Sequence, residues 1–220
     1  VLANSCHQSG LLVESAQAYR LAEAKALHDE QLILARFGLL RSLRLQNQVE
    51  AAVRVAAQLK DDKKLRTDQR RHLDWECAFL EAQREHGVGP LLVQTKSVTD
   101  IITERDANDL ILAMLWCYAF RHRSAISEMP SSSWVRSRCV NAGLDQKLAE
   151  NLRLIAAIEA SYDVRETIWD KLKSLSLILN EIRSRPASLE IGVFLAAVIR
   201  FLSRADQPAF ARLVMHDYKM

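Results

Sequence analysis

The scarcity of glycine and proline is the feature that most constrains the fold, since the 220 residues include only 6 glycines and 4 prolines. Sandwiches and barrels need many tight turns, which these two residue types usually form. Hydrophobic residues make up 49% of the chain, enough for a buried core. They recur mostly at spacings of three and four, the period of an amphipathic helix. The sequence therefore predicts an all-α protein.

Periodicity and turn signals divide the chain into about eleven helices with short connections. Short connections imply antiparallel neighbours, so the helices pair into hairpins. Such hairpins pack either as a compact helical bundle or as a solenoid in which each hairpin touches only its neighbours. The predicted helices with two assigned ends cover roughly 11–27, 30–45, 49–59, 66–86, 188–203 and 208–218.

Several polar residues stand where helix ends are expected. Asn47 ends the second of these helices, and Asp106 or Asn108 is predicted to cap a later apolar one. Serines 131–133 and Asp145 are assigned the same role for the two helices that follow. The spacing of Asp163 and Glu166 is that of a capping box. Asp206 is predicted to cap the final helix, with Pro208 in its first turn.

A spaced set of residues stands out at the start of the chain: Leu2, Ala3, Gly10, Glu14, Ser15, Tyr19 and Ala22. This set resembles a tetratricopeptide repeat. In that family a Leu and a small residue lie in the first helix, Gly marks the bend, and an aromatic residue and an Ala lie in the second helix. The aromatic side chain fills the gap between hairpins.

Two poorer copies follow. One comprises Leu39, Leu43, Asn47, Ala52, Ala56 and Leu59, and the other comprises Ala197, Ala209 and Leu213. The second copy lies about 37 residues after the first, near the family's period of 34. The resemblance implies an α–α superhelix of about five to six antiparallel hairpins. We expect a single helical-repeat domain over 1–220, excerpted from a longer protein, because the chain begins at Val1 inside an apparent helix.

No known catalytic or metal-binding motif is present in the sequence. Glycine-rich phosphate loops, HExxH, GxSxG and EF-hand patterns are missing. The four cysteines, Cys6, Cys77, Cys117 and Cys139, have no zinc-ligand spacing and predict free thiols. We therefore expect no enzyme activity, no cofactor and no metal.

The tetratricopeptide resemblance instead implies a non-catalytic scaffold that binds a partner protein or peptide. In that register Phe37, Arg41 and Arg44 look into the concave face, where basic and aromatic residues can hold an acidic or C-terminal peptide. Burial of Phe37 and plain exposure of both arginines is the alternative. Any tryptophan left exposed, among Trp75, Trp116, Trp134 and Trp169, is a further anchor candidate.

Two other functions stay open at this point. One is a structural helical-repeat segment of a larger regulatory protein or large kinase. The other is a helical-repeat nucleic-acid binder, suggested by basic clusters at 70–72, 121–123, 136–138 and 183–185. The net charge of only +3 favours a solvated surface over a nucleic-acid ridge. The sequence leaves the oligomeric state undecided.

The cellular setting is predicted from what the sequence lacks. An apolar run such as 191–199 is too short to cross a bilayer, so no membrane association is expected. The first residues show no basic stretch followed by an apolar one, as a secretory signal would. The expected location is the cytoplasm or nucleus.

Overall fold

The computed structural model describes residues 2–85, 87–97, 104–120, 130–139, 146–163, 165–183 and 189–218. Over these ranges the protein is all-α, which confirms the predicted fold class: it has twelve helices and no strand. The helices are α1 Leu2–Gln8, α2 Leu12–Ala24, α3 Asp29–Leu45, α4 Val49–Lys60, α5 Thr67–Arg84, α6 Gly89–Ser97, α7 Glu104–Phe120, α8 Ser132–Cys139, α9 Gln146–Ser161, α10 Ile168–Ile182, α11 Leu189–Arg204 and α12 Pro208–Asp217.

The chain divides into two compact units, where the sequence predicted a single domain over 1–220. The first runs to Gln94 and the second begins at Thr95. Hydrophobic periodicity could not reveal this division, because it predicts which side of a helix is buried and not which helix covers that side.

Unit 1 is built from consecutive helices that pack in chain order. Each of α1 to α4 contacts the next helix, and α1 and α5 also both contact α3. The odd-numbered helices α1, α3 and α5 therefore share one layer, and α2 and α4 share the other. The core between the layers is made mainly of apolar side chains from α3 and α4, including Ile33, Phe37, Leu40, Leu43, Ala52, Ala56 and Leu59.

A close approach between Tyr19 and Gly38 joins the first two hairpins of unit 1. A Cβ atom placed on Gly38 would lie 2.2 Å from the nearest carbon of the Tyr19 ring, which no real contact allows. Only glycine therefore lets the ring lie flat against α3. Tyr19 of α2 thus packs directly against the backbone of α3 at Gly38.

Unit 2 closes around α7. This helix contacts α8, α9 and α11, and α9 in turn contacts α8, α10 and α11. Every residue from Leu110 to Leu115 in α7 is at most 2% exposed. A helix that is apolar on all sides belongs at the centre of a core. Unit 2 is accordingly a bundle with a central helix, unlike the layered hairpins of unit 1.

Two polar residues end helices by adopting the left-handed conformation. Asn47 follows α3 with φ of 58°, as predicted for the residue that breaks this helix. Asp206 follows α11 with φ of 55°. The predicted cap of α12 by Asp206 is therefore wrong, and Gln207 holds that position. Short polar side chains tolerate this conformation because they bond locally to the backbone.

The other predicted caps have mixed outcomes. The Ser131 hydroxyl accepts a hydrogen bond from the Trp134 amide at 3.2 Å and so caps α8, as expected for a serine in 131–133. The predicted box of Asp163 and Glu166 is wrong, because Thr167 caps α10 and accepts from the Asp170 amide at 3.2 Å. The Asp163 carboxylate instead accepts from the Arg165 amide in a local turn.

The predicted residues at the starts of α7 and α12 also have different outcomes. Helix α7 begins at Glu104, so Asp106 and Asn108 lie inside it and neither is its cap. Pro208 occupies the first turn of α12, as predicted. Asp145 lies outside the described residues.

Candidate functional site

The predicted partner-binding residues all lie on α3, but the structure buries two of them. Phe37 is 4% exposed and Arg44 is 1% exposed, whereas Arg41 is half-buried. The expectation that Phe37 and Arg44 look into an open groove is thus corrected: both side chains face the neighbouring helix α5. Of the three residues, Arg41 alone keeps part of its side chain accessible, and its role in binding stays a prediction.

Arg44 is buried because α5 supplies an opposite charge. Its Nε atom donates to Glu76 Oε2 at 2.6 Å, with both side chains at most 2% exposed. The guanidinium also lies over the Phe79 ring, 4.7 Å from its centroid. A buried charge is tolerated only when it is paired and hydrogen-bonded. The sequence analysis missed Glu76 because it lies 32 residues away from Arg44, beyond any local pattern.

His72 completes this buried cluster. Its Nε2 atom is 3.7 Å from Glu76 Oε1, one helical turn along α5. The imidazole ring packs against Phe37, with the ring centroids 5.1 Å apart. Phe37 and Arg44 of α3 therefore meet His72 and Glu76 of α5 in one contact region, although nothing in the sequence relates these positions.

The charges around Glu76 decide its protonation. Burial by itself raises the pKa of this carboxyl group, but electrostatic interactions with Arg44, His72 and Arg41, together with the Arg44 hydrogen bond, outweigh burial and lower the pKa to about 2. Glu76 is therefore ionised at neutral pH. Since neither Glu76 nor Arg44 is open to solvent, the pair can hold α3 against α5 but cannot reach a substrate.

A second polar chain ties α1 and α2 to α3. His7 Nδ1 lies 3.3 Å from the Ser42 hydroxyl, and that hydroxyl lies 3.0 Å from the Ser15 hydroxyl. Ser15 donates in turn to the Ala3 carbonyl oxygen at 3.0 Å. Burial and the positive charge of Arg41 lower the pKa of His7, so the imidazole is neutral at neutral pH.

The exposed tryptophan lies in unit 2. Trp169 on α10 is 77% exposed, whereas Trp75 is 3% exposed and the other two are half-buried. Leu177 on the same helix is 63% exposed. Residues at spacings of four share a side of a helix, so Trp169, Lys173 and Leu177 form one exposed stripe, which we call the α10 stripe.

The predicted basic clusters differ in exposure and pairing within the described residues. Arg70 is exposed and Arg71 is half-buried, but His72 is buried. Arg183 pairs with Asp217 at 3.4 Å. On α8, Arg136 and Arg138 are exposed, and the Arg138 guanidinium lies 5.5 Å from the Trp134 ring centroid. The cluster at 121–123 and Arg185 lie outside the described residues.

The described cysteine side chains form no disulfide bond. Cys6 and Cys77 are half-buried and Cys117 is buried, while the side chain of Cys139 lies outside the description. Cys77 lines a cleft of about 160 Å³ between α4 and α5. Burial raises the pKa of the Cys77 thiol, and the neighbouring Lys60 offsets only part of this effect. The thiol is therefore protonated at neutral pH and is a weak nucleophile.

Comparison with known proteins adds no family. No protein-family model, no curated protein and no solved structure matches the chain. Among the described helices, none combines the length and the apolarity that crossing a membrane requires. The described residues also contain no group of three or more His, Cys, Asp or Glu side chains placed to hold a metal ion.

Proposed function

We propose that the protein is a non-catalytic scaffold that binds a partner protein through the α10 stripe. The observation that carries this proposal is the exposure of Trp169, 77% of whose surface is open to solvent. Tryptophan is among the residues most enriched at binding hot spots, where its truncation commonly costs about 2 kcal/mol or more. An exposed indole with an exposed Leu on the same side of a helix supplies such an anchor.

The stripe also indicates the chemistry of the partner. Lys173 is exposed and lies between Trp169 and Leu177. A complementary surface would therefore carry two apolar pockets with an acidic group between them, which fixes the register of docking more than the affinity. A short amphipathic helix with this pattern is the partner we propose.

The tetratricopeptide resemblance contributes a second part of the proposal. The layering of α1, α3 and α5 is what stacked hairpins of that family would produce, and it supports a superhelical arrangement in unit 1. In that arrangement Arg41 is the residue we assign to an acidic peptide group, because Phe37 and Arg44 are enclosed. The proposed setting is the cytoplasm or nucleus.

The proposal is tested by capturing partners from cell lysate with the immobilised chain at low and high salt. Three baits are compared: the wild type, Trp169→Ala and Leu213→Ala. Leu213 is a matched control, since it is also an exposed apolar residue, 52% accessible, on another helix of unit 2. We expect a discrete protein that resists high salt, is retained by Leu213→Ala and is lost with Trp169→Ala.

Other results would overturn the proposal. Equal recovery by all three baits would remove the α10 stripe from the interaction. Recovery of nucleic acid that disappears at high salt would favour the basic residues, with Arg136 and Arg138 as the exposed pair to substitute next.

A further inference from the structure

A cleft in unit 2 lies at the junction of α9, α10 and α11. It encloses about 250 Å³, and its walls include Tyr162, Ile168, Lys171, Phe201 and Arg204. Sites for drug-sized ligands usually occupy about 300–1,000 Å³, whereas a cavity of about 150 Å³ is enough for benzene. The cleft therefore suits a ligand with a single ring and one small polar group.

Two aromatic rings form the apolar part of this cleft. The rings of Tyr162 and Phe201 meet edge to face, with centroids 5.7 Å apart. Tyr118 supports Tyr162 from behind at 5.6 Å between centroids, and Phe201 is 7% exposed. Tyr162 is therefore held between Tyr118 and Phe201, and the rings of Tyr162 and Phe201 present a preformed surface on which a further ring can pack.

The charges that line the cleft have one sign. Lys171 is half-buried and Arg204 is exposed, and no acidic residue lines the cleft within the described part of unit 2. The nearby Asp163 carboxylate does not line the cleft; it pairs with Arg165, whose Nη2 lies 2.7 Å from its Oδ2 atom, and interacts electrostatically with Lys171 as well. Two cations at the edge of an apolar surface attract a ligand that carries a negative charge.

We propose that this cleft binds a small aromatic carboxylate. The ring packs against Tyr162 and Phe201 while the carboxylate accepts hydrogen bonds from Lys171 and Arg204. A free aromatic acid and the C-terminal phenylalanine of a peptide share this chemistry. The proposal does not depend on the α10 stripe, because Ile168 and Lys171 lie on a different side of α10 from Trp169 and Leu177.

The test compares 3-phenylpropionate with its neutral amide, 3-phenylpropionamide, by titration of the ¹⁵N-labelled chain followed by NMR. We expect shifts in residues around the cleft and an affinity about tenfold higher for the carboxylate, equivalent to about 1.4 kcal/mol. Lys171→Gln and Arg204→Gln should each remove most of this difference. Arg212→Gln is the matched control, because this exposed cation of α12 belongs to unit 2 and does not line the cleft.

The outcomes separate the alternatives. Equal affinity for acid and amide, unchanged affinity in both cleft variants, or shifts located away from the cleft would each overturn the proposal. An acetylated tetrapeptide ending in phenylalanine is titrated in parallel. Tighter binding of this peptide than of the free acid would support the site and assign it to a chain terminus, whereas weaker binding would support a free acid. Thermal melts of each variant confirm that it is folded.

Discussion

The two units solve the problem of burying helices in different ways. Unit 1 stacks helices in chain order and places the Arg44–Glu76 ion pair in its interior. Unit 2 surrounds one helix whose central stretch, Leu110 to Leu115, is entirely apolar. Unit 2 also buries polar side chains, such as Asn151, which donates to Asn108 at 3.1 Å, but charge does not occupy that stretch.

This contrast between an ion pair and an apolar stretch affects how specifically each helix packs against its neighbours. An apolar helix can pack against many apolar neighbours, whereas a buried arginine accepts only a neighbour that presents a carboxylate at the right height. We infer that the Arg44–Glu76 pair fixes the register of α3 against α5, whereas the central stretch of α7 in unit 2 packs through apolar side chains alone. Four predictions test this difference between the units.

The largest effect is expected from Glu76→Gln. This change leaves the Arg44 charge buried without its counter-charge, which typically costs about 3–5 kcal/mol of folding free energy. Hydrogen exchange followed by mass spectrometry should show loss of protection in peptides of α3 and α5. Glu23→Gln is the control, because Glu23 pairs with Arg36 at 2.9 Å near the surface and should cost about 1 kcal/mol or less. Equal effects of the two variants would refute the special role of the buried pair.

Lowering the pH should reduce the difference in the free energy of unfolding between the wild type and Glu76→Gln. The folded pKa of Glu76, about 2, lies below its ordinary value of 4.5, so its ionisation stabilises unit 1 above pH 4.5 and this contribution is lost as the pH falls toward 2. In unit 2 burial raises the pKa of Glu159, and this group contributes with the opposite sign. Urea unfolding at pH 6, 4 and 3 measures the unfolding free energies of both proteins. A difference between them that does not change with pH would contradict the lowered pKa of Glu76.

Two glycine substitutions should act in opposite directions in the two units. Gly38→Ala forces the Tyr19 ring away from α3 and is expected to destabilise unit 1 by about 1–3 kcal/mol. Gly192→Ala in α11 meets no atom within 4 Å and should stabilise unit 2 by about 0.5–1 kcal/mol through helix propensity. Thermal melts compare them. If Gly38→Ala is neutral or stabilising, the two hairpins do not meet as closely as described.

The smallest effect tests the start of α10. Thr167→Ala removes the side chain that accepts from the Asp170 amide and should cost about 1 kcal/mol. Glu166→Ala, which alters the sequence-predicted capping box, should change stability by less than about 0.5 kcal/mol. The urea midpoints of the two variants distinguish a cap formed by Thr167 from the predicted capping box of Asp163 and Glu166. A larger destabilisation by Glu166→Ala would support the capping box.

The sequence predicted the helices better than their partners. Periodicity placed α3 and α4 within a few residues of their ends, because it reports burial directly. It did not predict the burial of Arg44, since an isolated arginine is normally exposed. Its partner Glu76 lies 32 residues further along the chain, on a helix that no local pattern pairs with α3. The role of Gly38 was missed for a similar reason, because the need for glycine there comes from the Tyr19 ring on another helix. The exposure of Trp169 likewise depends on which helices cover α10.

The central position of α7 has a consequence for how the protein forms during synthesis. The contact of α7 with α11 joins segments separated by three other described helices, so this core cannot close until most of unit 2 has left the ribosome. In unit 1 each of α2 to α5 contacts the helix that precedes it in the chain. We therefore expect the apolar surface of α7 to remain uncovered until α11 is synthesised, whereas α2 to α5 can pack soon after each has emerged.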